Sequence, residues 1–271
     1  MLEKSRAVKG EGKGMKAALA QTNILWEDKE ENLLRAKKWL WEAKKQEAQL
    51  LCFPEMSFTG FSMQTEKTAE SEGGTVRLMQ KMAQEYRIAI GFGWVEKTEG
   101  KARNHYTVAD EAGILSDYVK VHPFSYSGEN RYFEAGEALS VFQMGGLCIG
   151  TLLCYDLRFP EPFQILAETC DLIIVAANWP EGRREHWKCL LQARAIECQV
   201  YLAGVNCCGR QKGLLYAGDS CIFAPDGKRI AGFLEGEGLL TARIREDTKE
   251  YRKEFPVRAD RRWELYRRWY E

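Results

Sequence analysis

A thiol, two carboxylates and an ammonium group are the side chains of this chain that could perform chemistry together. Cys154 ends the apolar run LCIGTLLC, which is typical of a buried strand, and polar residues follow it at once. Ligands of open α/β sheets bind beyond the carboxyl ends of strands, so a thiol here is placed to react. Glu55 follows another apolar run, and a carboxylate in apolar surroundings suits a general base. Lys120 ends a third such run, and Glu129 lies in the loop SGEN.

Each of these four residues also has an ordinary structural explanation. A free cysteine usually behaves as a small buried hydrophobe. Glu55 could be a helix cap or a surface charge, Lys120 a solvated lysine, and Glu129 a solvated loop carboxylate. For each residue considered singly, the ordinary explanation is the better one.

The elements that must position these residues alternate between strands and helices. The hydrophobic patterns predict strands at 16–21, 49–53, 88–95, 171–177 and 200–207, and helices at 28–47, 75–86, 160–168 and 185–199. Hairpins are predicted within 104–121, within 140–154 and around 225–227. The combination predicts an α/β fold in which mixed sheets carry helices on their outer faces.

We expect one domain at 15–271, preceded by a mobile tail at 1–14, with Met15 as an alternative start. The charged N-terminus has no apolar signal core, which favours a cytoplasmic protein. From about Glu246 an extension carries arginines among aromatic residues, a pattern typical of nucleic-acid patches and of subunit interfaces. The balanced charge favours an interface. The residues concerned are Arg258, Arg261, Arg262, Trp263, Tyr266, Arg267, Arg268, Trp269 and Tyr270.

Composition excludes several classes of partner and cofactor. The chain has 39 basic and 39 acidic residues, so no overall field attracts nucleic acid or an anionic membrane, and a small molecule is the expected partner. Its nine cysteines form no CxxC pair, and its three histidines have no metal-ligand spacing. We therefore expect no disulfide framework, no metal and no cofactor.

Five segments in order resemble the nitrilase superfamily of carbon-nitrogen hydrolases, over about residues 16–240. They are FPEMSFTGF at 53–61, YVKVHPF at 118–124, GENRYFEAGE at 128–137, GTLLCYDLRFPE at 150–161 and AANWPEGRREHWKCLLQARAIE at 176–197. The resemblance implies a four-layer α-β-β-α sandwich with two mixed sheets, and a homodimer or higher homo-oligomer that uses the C-terminal segment.

The same resemblance assigns a role to each of the four residues. It implies that Glu55 is the general base, Lys120 the electrostatic stabiliser, Cys154 the nucleophile and Glu129 a second carboxylate in the pocket. A thiol is only a few per cent thiolate at neutral pH, so a base and a cation are the partners that would activate it. The implied reaction is hydrolysis of an amide through a thioester, with ammonia released and no cofactor.

Within the superfamily, the motifs CYDLRFP and ANWP look most like those of the ω-amidase group. This resemblance implies that the substrates are monoamides such as 2-oxoglutaramate or succinamate. Arg158 is a candidate clamp for the distal carboxylate, although it could instead pair with Asp156 or Glu161. Three further residues are candidates for substrate binding: Tyr155, Asn178 and Trp179. Additional candidates for the wall of the site are Phe61, Tyr126 and Phe133.

Two other functions stay open from the sequence. One is hydrolysis of an N-carbamoyl amine or of deaminated glutathione by the same chemistry. The other is a non-enzymatic, metabolite-binding relative that keeps the fold. The presence of all four pocket residues favours an enzyme.

Overall fold

Two mixed β-sheets lie face to face between two layers of helices in a computed structural model that describes residues 14–232 and 235–271. The strands are β1 Gly14–Gln21, β2 Leu50–Cys52, β3 Ala89–Glu96, β4 Ala102–Ala109, β5 Ile114–Val119, β6 Phe133–Glu134, β7 Val141–Met144, β8 Leu147–Leu153, β9 Leu172–Ala177, β10 Tyr201–Asn206, β11 Cys208–Gln211, β12 Leu214–Ala217, β13 Cys221–Phe223, β14 Arg229–Ala231 and β15 Gly238–Arg245. The helices are α1 Lys29–Lys45, α2 Thr65–Thr68, α3 Gly74–Tyr86, α4 Glu129–Tyr132, α5 Pro160–Leu166, α6 Arg184–Cys198, α7 Thr248–Glu254 and α8 Trp263–Tyr270.

Each large sheet has three parallel strands at its centre. The first sheet runs β15-β1-β2-β3-β4-β5, with β6 also paired to β4, and β1, β2 and β3 are parallel. The second runs β14-β13-β10-β9-β8-β7, and β8, β9 and β10 are parallel. Antiparallel strands complete both sheets, so the predicted mixed α/β fold is confirmed. The predicted tail lies outside the described residues, except for Gly14, which begins β1.

Alternation of apolar side chains separates the two cores. In β1, Met15 and Leu19 pack between the sheets, whereas Ala18 and Ala20 pack toward the outer helices α1 and α3. Because both faces of the strand are covered, its sequence is a nearly continuous apolar run, as is usual for parallel strands. The helices α5 and α6 cover the second sheet, which gives the four layers that the resemblance implied.

Helix α1 shows how local signals position an outer layer. The Asp28 side chain caps the helix by accepting a hydrogen bond from the Glu31 backbone N–H at 3.2 Å. Ala36, Leu40 and Ala43 recur at helical spacing and are buried. The predicted cap and buried stripe are both confirmed.

The extension packs against the edge where β9 and β10 begin, opposite the carboxyl ends of these strands. Arg252 donates to the backbone oxygens of Gln199 and Cys170 at 3.1 and 2.9 Å. The last helix, α8, has no buried residue, and its Trp269 and Tyr270 are 71% and 88% exposed.

Within 14–232 and 235–271, no helix has the length and apolar character needed to span a membrane.

Candidate active site

The loop after β2 carries Glu55 into the interior and is attached to the neighbouring strand β3. Ser57 Oγ accepts a hydrogen bond from the Gly93 N–H at 2.8 Å and donates one to the Pro54 carbonyl at 2.6 Å. A Cβ atom on Gly93 would lie 2.3 Å from the Met56 nitrogen, so only glycine permits this approach. The close fit fixes the backbone of Glu55, whose side chain is fully buried.

Lys120, Glu55, Glu129 and Asn104 form a buried charged cluster, which we call the Lys120 cluster. Lys120 Nζ lies 2.8 Å from Glu55 Oε1 and 2.9 Å from Glu129 Oε2. Asn104 Nδ2 donates to Oε1 of both carboxylates, at 2.9 and 3.1 Å. The Asn178 backbone N–H donates to Glu55 Oε2 at 3.1 Å. Each carboxylate is therefore fixed by several donors rather than solvated.

The two carboxylates decide the charge of the lysine. Burial alone would lower the pKa of the Lys120 ammonium, but Glu129, Glu55 and Cys154 together raise it above its ordinary value. Burial raises the pKa of the Glu129 carboxyl, Lys120 opposes that rise, and Glu55 adds to it. Lys120 thus keeps its positive charge in a place where it is 1% exposed.

Cys154 stands at the junction of β8 and a 3-10 turn, Cys154–Arg158. Its backbone has φ of 44°, in the left-handed region that non-glycine residues rarely adopt. Such a conformation costs on the order of 1 kcal/mol or more and is found preferentially at functional sites. The thiol lies 3.9 Å from the Asn178 carbonyl oxygen, so β8 and β9 both contribute to its surroundings.

The surroundings of Cys154 oppose ionisation of its thiol. Burial, the Glu55 charge and, to a smaller extent, the Glu129 charge raise the pKa of the Cys154 thiol well above its ordinary value, and Lys120 only partly offsets them. A reaction at this sulfur must therefore remove the proton during attack. The Glu55 carboxylate is near enough to affect the pKa of this thiol, which makes it the candidate base for that transfer.

Asp156 anchors the turn that presents Cys154. Its Oδ2 accepts from the Leu153 N–H at 2.9 Å and from the Tyr118 hydroxyl at 2.8 Å. Its Oδ1 accepts from the backbone N–H of His122 at 3.0 Å and lies 2.8 Å from His122 Nδ1. These contacts tie the turn to the end of β5, immediately beside Lys120. One buried carboxylate thus couples the position of the thiol to the position of the ammonium.

We expect Asp156→Ala to lower the free energy of unfolding by about 2–4 kcal/mol, because several buried donors would lose their acceptor. Asp260→Ala, at an exposed aspartate, is the control and should change it by about 0.5 kcal/mol or less. Urea unfolding of both variants measures the difference. Equal midpoints for the two would show that Asp156 does not hold the turn.

A cavity of about 90 Å³ opens beside Cys154. Its lining includes all four residues expected to bind substrate, Tyr155, Arg158, Asn178 and Trp179. Phe61 also lines it, but two other expected wall residues do not: Phe133 is 2% exposed and packs with Met56, and Tyr126 is 85% exposed. The lining is completed by Phe124, Ser127, Cys154, Pro180, Arg183, Leu214 and Tyr216.

Arg158 makes no ion pair with Asp156 or Glu161 in the described part of the chain. Its guanidinium carbon lies 4.7 Å from the centre of the Trp179 ring, and its Nη2 lies 3.4 Å from His186 Nδ1. Asp156 is occupied by the partners described above. Arg158 is among the residues that line the cavity, and its role as a clamp for a carboxylate stays a prediction.

Three features of the site were missed from the sequence. Asn104 near the start of β4 resembles an ordinary turn residue, and only the fold places it between two carboxylates. The hairpin β11–β12, which supplies Leu214 and Tyr216 to the cavity, was not predicted. Its two-residue turn, Lys212-Gly213, has φ of 45° and 86°, and this turn type was the available signal. Arg183 was the third omission.

In the parts of the chain that the structure describes, no group of three or more acidic, histidine or cysteine side chains could hold a metal ion.

The chain is similar to several known proteins over nearly its whole length. A family model described as "Carbon-nitrogen hydrolase" matches residues 16–253. A 2-oxoglutaramate amidase of Bacillus subtilis (strain 168) is 32% identical over 252 residues, which cover 91% of this chain and 97% of that protein. Omega-amidase YafV of Escherichia coli (strain K12) is 32% identical over 253 residues, covering 91% and 96%.

A solved structure extends the similarity to the fold. A variant of the amidase from Nesterenkonia sp. AN1 matches with a TM-score of 0.86 at 27% identity, covering 96% of this chain and 98% of that chain. That structure shows covalent addition of the acetamide moiety of fluoroacetamide at the active-site cysteine. The match extends over both sheets.

Proposed function

Because the chain belongs to the carbon-nitrogen hydrolase family, we propose that it hydrolyses the terminal amide of a short dicarboxylic acid monoamide. At the coarser level it is an amidase of the nitrilase superfamily with ω-amidase-like relatives. The proposal concerns two finer points, the roles of the individual residues and the class of substrate. One observation carries it: a small cavity is lined by both Cys154 and Arg158, and Arg158 has no carboxylate partner among the described residues.

Acylation begins with transfer of the Cys154 proton to Glu55 while the sulfur attacks the amide carbonyl carbon. The oxyanion that forms accepts hydrogen bonds from Lys120 Nζ and from the Tyr155 N–H. Lys120 Nζ donates to Glu55 Oε1 and to both oxygens of Glu129, and the bond to Glu129 Oε1, at 3.2 Å, is the longest, so it is the one that the oxyanion would replace. The Tyr155 N–H belongs to the first residues of a 3-10 turn, which lack acceptors within the turn. Both donors are fixed before the reaction, which is the condition for strong stabilisation.

Ammonia leaves when the tetrahedral intermediate collapses. Glu55 returns its proton to the departing nitrogen, the carbon-nitrogen bond breaks, and the acyl group remains on Cys154 as a thioester. A water molecule then gives a proton to Glu55 and attacks the thioester carbon. The second collapse releases the acid and returns the proton to the sulfur. Glu55 therefore acts alternately as base and acid, which its position between Lys120 and Cys154 permits.

Asn178 orients the amide nitrogen of the substrate in this proposal. Its Nδ2 donates to the Glu55 carbonyl at 2.6 Å, which identifies Oδ1 as the remaining acceptor. That oxygen is buried and has no hydrogen-bond partner among the described residues. Because a buried, unpaired acceptor is costly, an incoming N–H donor is favoured there. A carboxylate would be repelled, so the acid end of the substrate must point away from Asn178.

The cavity and its charge define the rest of the substrate. A volume of about 90 Å³ is far below that of pockets for drug-sized ligands, so the acyl chain must be short. Tyr155, Phe61 and Trp179 provide apolar walls for that chain. Arg158 binds the distal carboxylate through charge-assisted hydrogen bonds. Succinamate and 2-oxoglutaramate fit these requirements.

Release of ammonia by the purified protein tests the proposal. We expect kcat/KM for succinamate and 2-oxoglutaramate to exceed that for the uncharged butyramide by on the order of 10- to 100-fold, because a charged hydrogen bond contributes about 1.5–3 kcal/mol. N-carbamoyl amines and deaminated glutathione complete the panel. A preference for either of these would contradict the proposed substrate class while leaving the thiol chemistry in place.

The homo-oligomer remains a prediction. We propose a homodimer in which α8 contributes to the interface, because its exposed Trp269 and Tyr270 are of the types that interfaces enrich.

A further inference from the structure

We propose that Arg183 is a second carboxylate-binding residue, which acts with Arg158 on the acid end of the substrate. This inference rests on the proposed function, because it concerns the same cavity and the same class of substrate. It adds a residue that lies 25 positions from Arg158 in the sequence. The two guanidinium groups would bind one carboxylate from two elements of the fold, the turn after β8 and the turn before α6.

Trp179 holds both arginines at the cavity. The Arg158 guanidinium lies over its ring at 4.7 Å, and its indole N–H donates to the Arg183 carbonyl at 2.8 Å. Trp179 is itself 3% exposed and packs against Trp187 with ring centres 5.5 Å apart. The Arg183 guanidinium lies 5.4 Å from the centre of the Phe124 ring, on another wall of the cavity. Trp179 therefore contacts the Arg158 guanidinium and the Arg183 backbone, and both arginines line the same cavity.

Among the described residues, the lining of the cavity contains two cationic side chains and no carboxylate. Arg158 and Arg183 are its only charged lining residues, and neither forms an ion pair with any carboxylate in the described ranges. Burial and the nearby Arg183 charge lower the pKa of the Arg158 guanidinium. Two like charges held together without a counter-ion destabilise the empty site, and a bound carboxylate removes that repulsion. The arrangement favours an anionic ligand over a neutral one.

The neighbouring arginine shows the contrast. Arg184 donates from Nε and Nη2 to the two oxygens of Asp219, both at 2.8 Å. This bidentate pair satisfies the Arg184 guanidinium within the protein. The two adjacent arginines thus differ: Arg184, at the start of α6, pairs with Asp219, whereas Arg183, at the end of the turn, lines the cavity and has no carboxylate partner among the described residues.

The test compares succinamate with its methyl ester, which has nearly the same shape and no charge. For Arg183→Gln we expect kcat/KM for succinamate to fall by on the order of 10- to 100-fold, mainly through KM, while kcat/KM for the ester changes little. Arg183→Lys should recover part of the loss, because it restores the charge without the planar donor pair. Arg184→Gln is the matched control and should leave the ratio of the two substrates unchanged.

The outcomes separate the two proposals. If the wild-type protein releases ammonia from the methyl ester with the same kcat/KM as from succinamate, the proposed substrate class fails. If the wild-type protein prefers the acid and Arg183→Gln keeps that preference in full, the role of Arg183 fails alone. Binding of succinamate to the Cys154→Ala variant, measured by calorimetry, gives a readout that does not depend on turnover. Equal affinity with and without Arg183→Gln in that background would also overturn the inference.

Discussion

Replacing Cys154 with alanine is expected to lower kcat on an ω-monoamide by on the order of 10⁴-fold or more, because the acyl acceptor is lost. The free energy of unfolding should change by about 1 kcal/mol or less, since alanine fits the space and meets the same backbone constraint at φ of 44°. Initial rates of ammonia release and urea unfolding measure the two effects. The control is Cys52→Ala, at a buried thiol within β2.

Chemical labelling separates this thiol from the others. Cys189 is exposed, and the other eight cysteines are buried. In a Cys189→Ala background, iodoacetamide should label Cys154, and addition of Glu55→Gln should slow that labelling because the thiol loses its base. Near wild-type turnover by Cys154→Ala would refute the assignment of the nucleophile. Iodoacetamide labelling that persists when Cys154→Ala is added to the Cys189→Ala background would refute it as well.

Replacing Lys120 with methionine is expected to damage both activity and stability. Glu55 and Glu129 would face each other in a buried place without the cation that lies between them. Removing one partner of a buried ion pair costs about 3–5 kcal/mol of folding free energy. Loss of one oxyanion donor lowers kcat by on the order of 10²- to 10³-fold. Urea unfolding and initial rates of ammonia release report these two effects separately.

The sign of the pH dependence follows from Glu129. Lys120 lowers the pKa of the Glu129 carboxyl, so its removal should raise that pKa further above the unfolded value. The folded variant then binds more protons than the unfolded chain, and its stability falls as the pH rises through the folded pKa. We expect the deficit of Lys120→Met relative to wild type to be larger at about pH 8 than at about pH 5.

A double variant separates charge balance from catalysis. Adding Glu129→Gln to Lys120→Met removes one of the two facing carboxylates, so part of the lost stability should return while turnover does not. If the double variant is as unstable as Lys120→Met at both pH values, repulsion between the carboxylates is not the cause. Full activity in either variant would exclude Lys120 as the stabiliser.

Much of this arrangement could be predicted from where apolar runs end. Glu55, Lys120 and Cys154 each follow a strand of the structure, β2, β5 and β8, as the sequence indicated. The reason is physical: a buried strand needs apolar residues on both faces, so the first polar residue marks the sheet edge at which ligands bind. The outer helix α1 was also predictable, because capping and helical spacing are local signals.

The remaining features depend on contacts between distant segments. Asn104 joins Glu55 and Glu129 across 49 and 25 residues of sequence, and nothing local distinguishes it from a turn asparagine. The direction of the Cys154 pKa shift results from a balance among burial, Glu55, Lys120 and Glu129, which composition cannot evaluate. Arg183 and Arg184 are adjacent and chemically identical, and only the position of Asp219 decides which one is paired.

Covalent trapping tests the central claim, that Cys154 carries the acyl group, most directly. The protein is mixed with succinamate, quenched in acid during turnover, digested and examined by mass spectrometry. We predict a succinyl group on the peptide that contains Cys154, and its absence from the Cys154→Ala variant treated in the same way. A succinyl group on any other residue, or steady turnover by Cys154→Ala, would contradict the account.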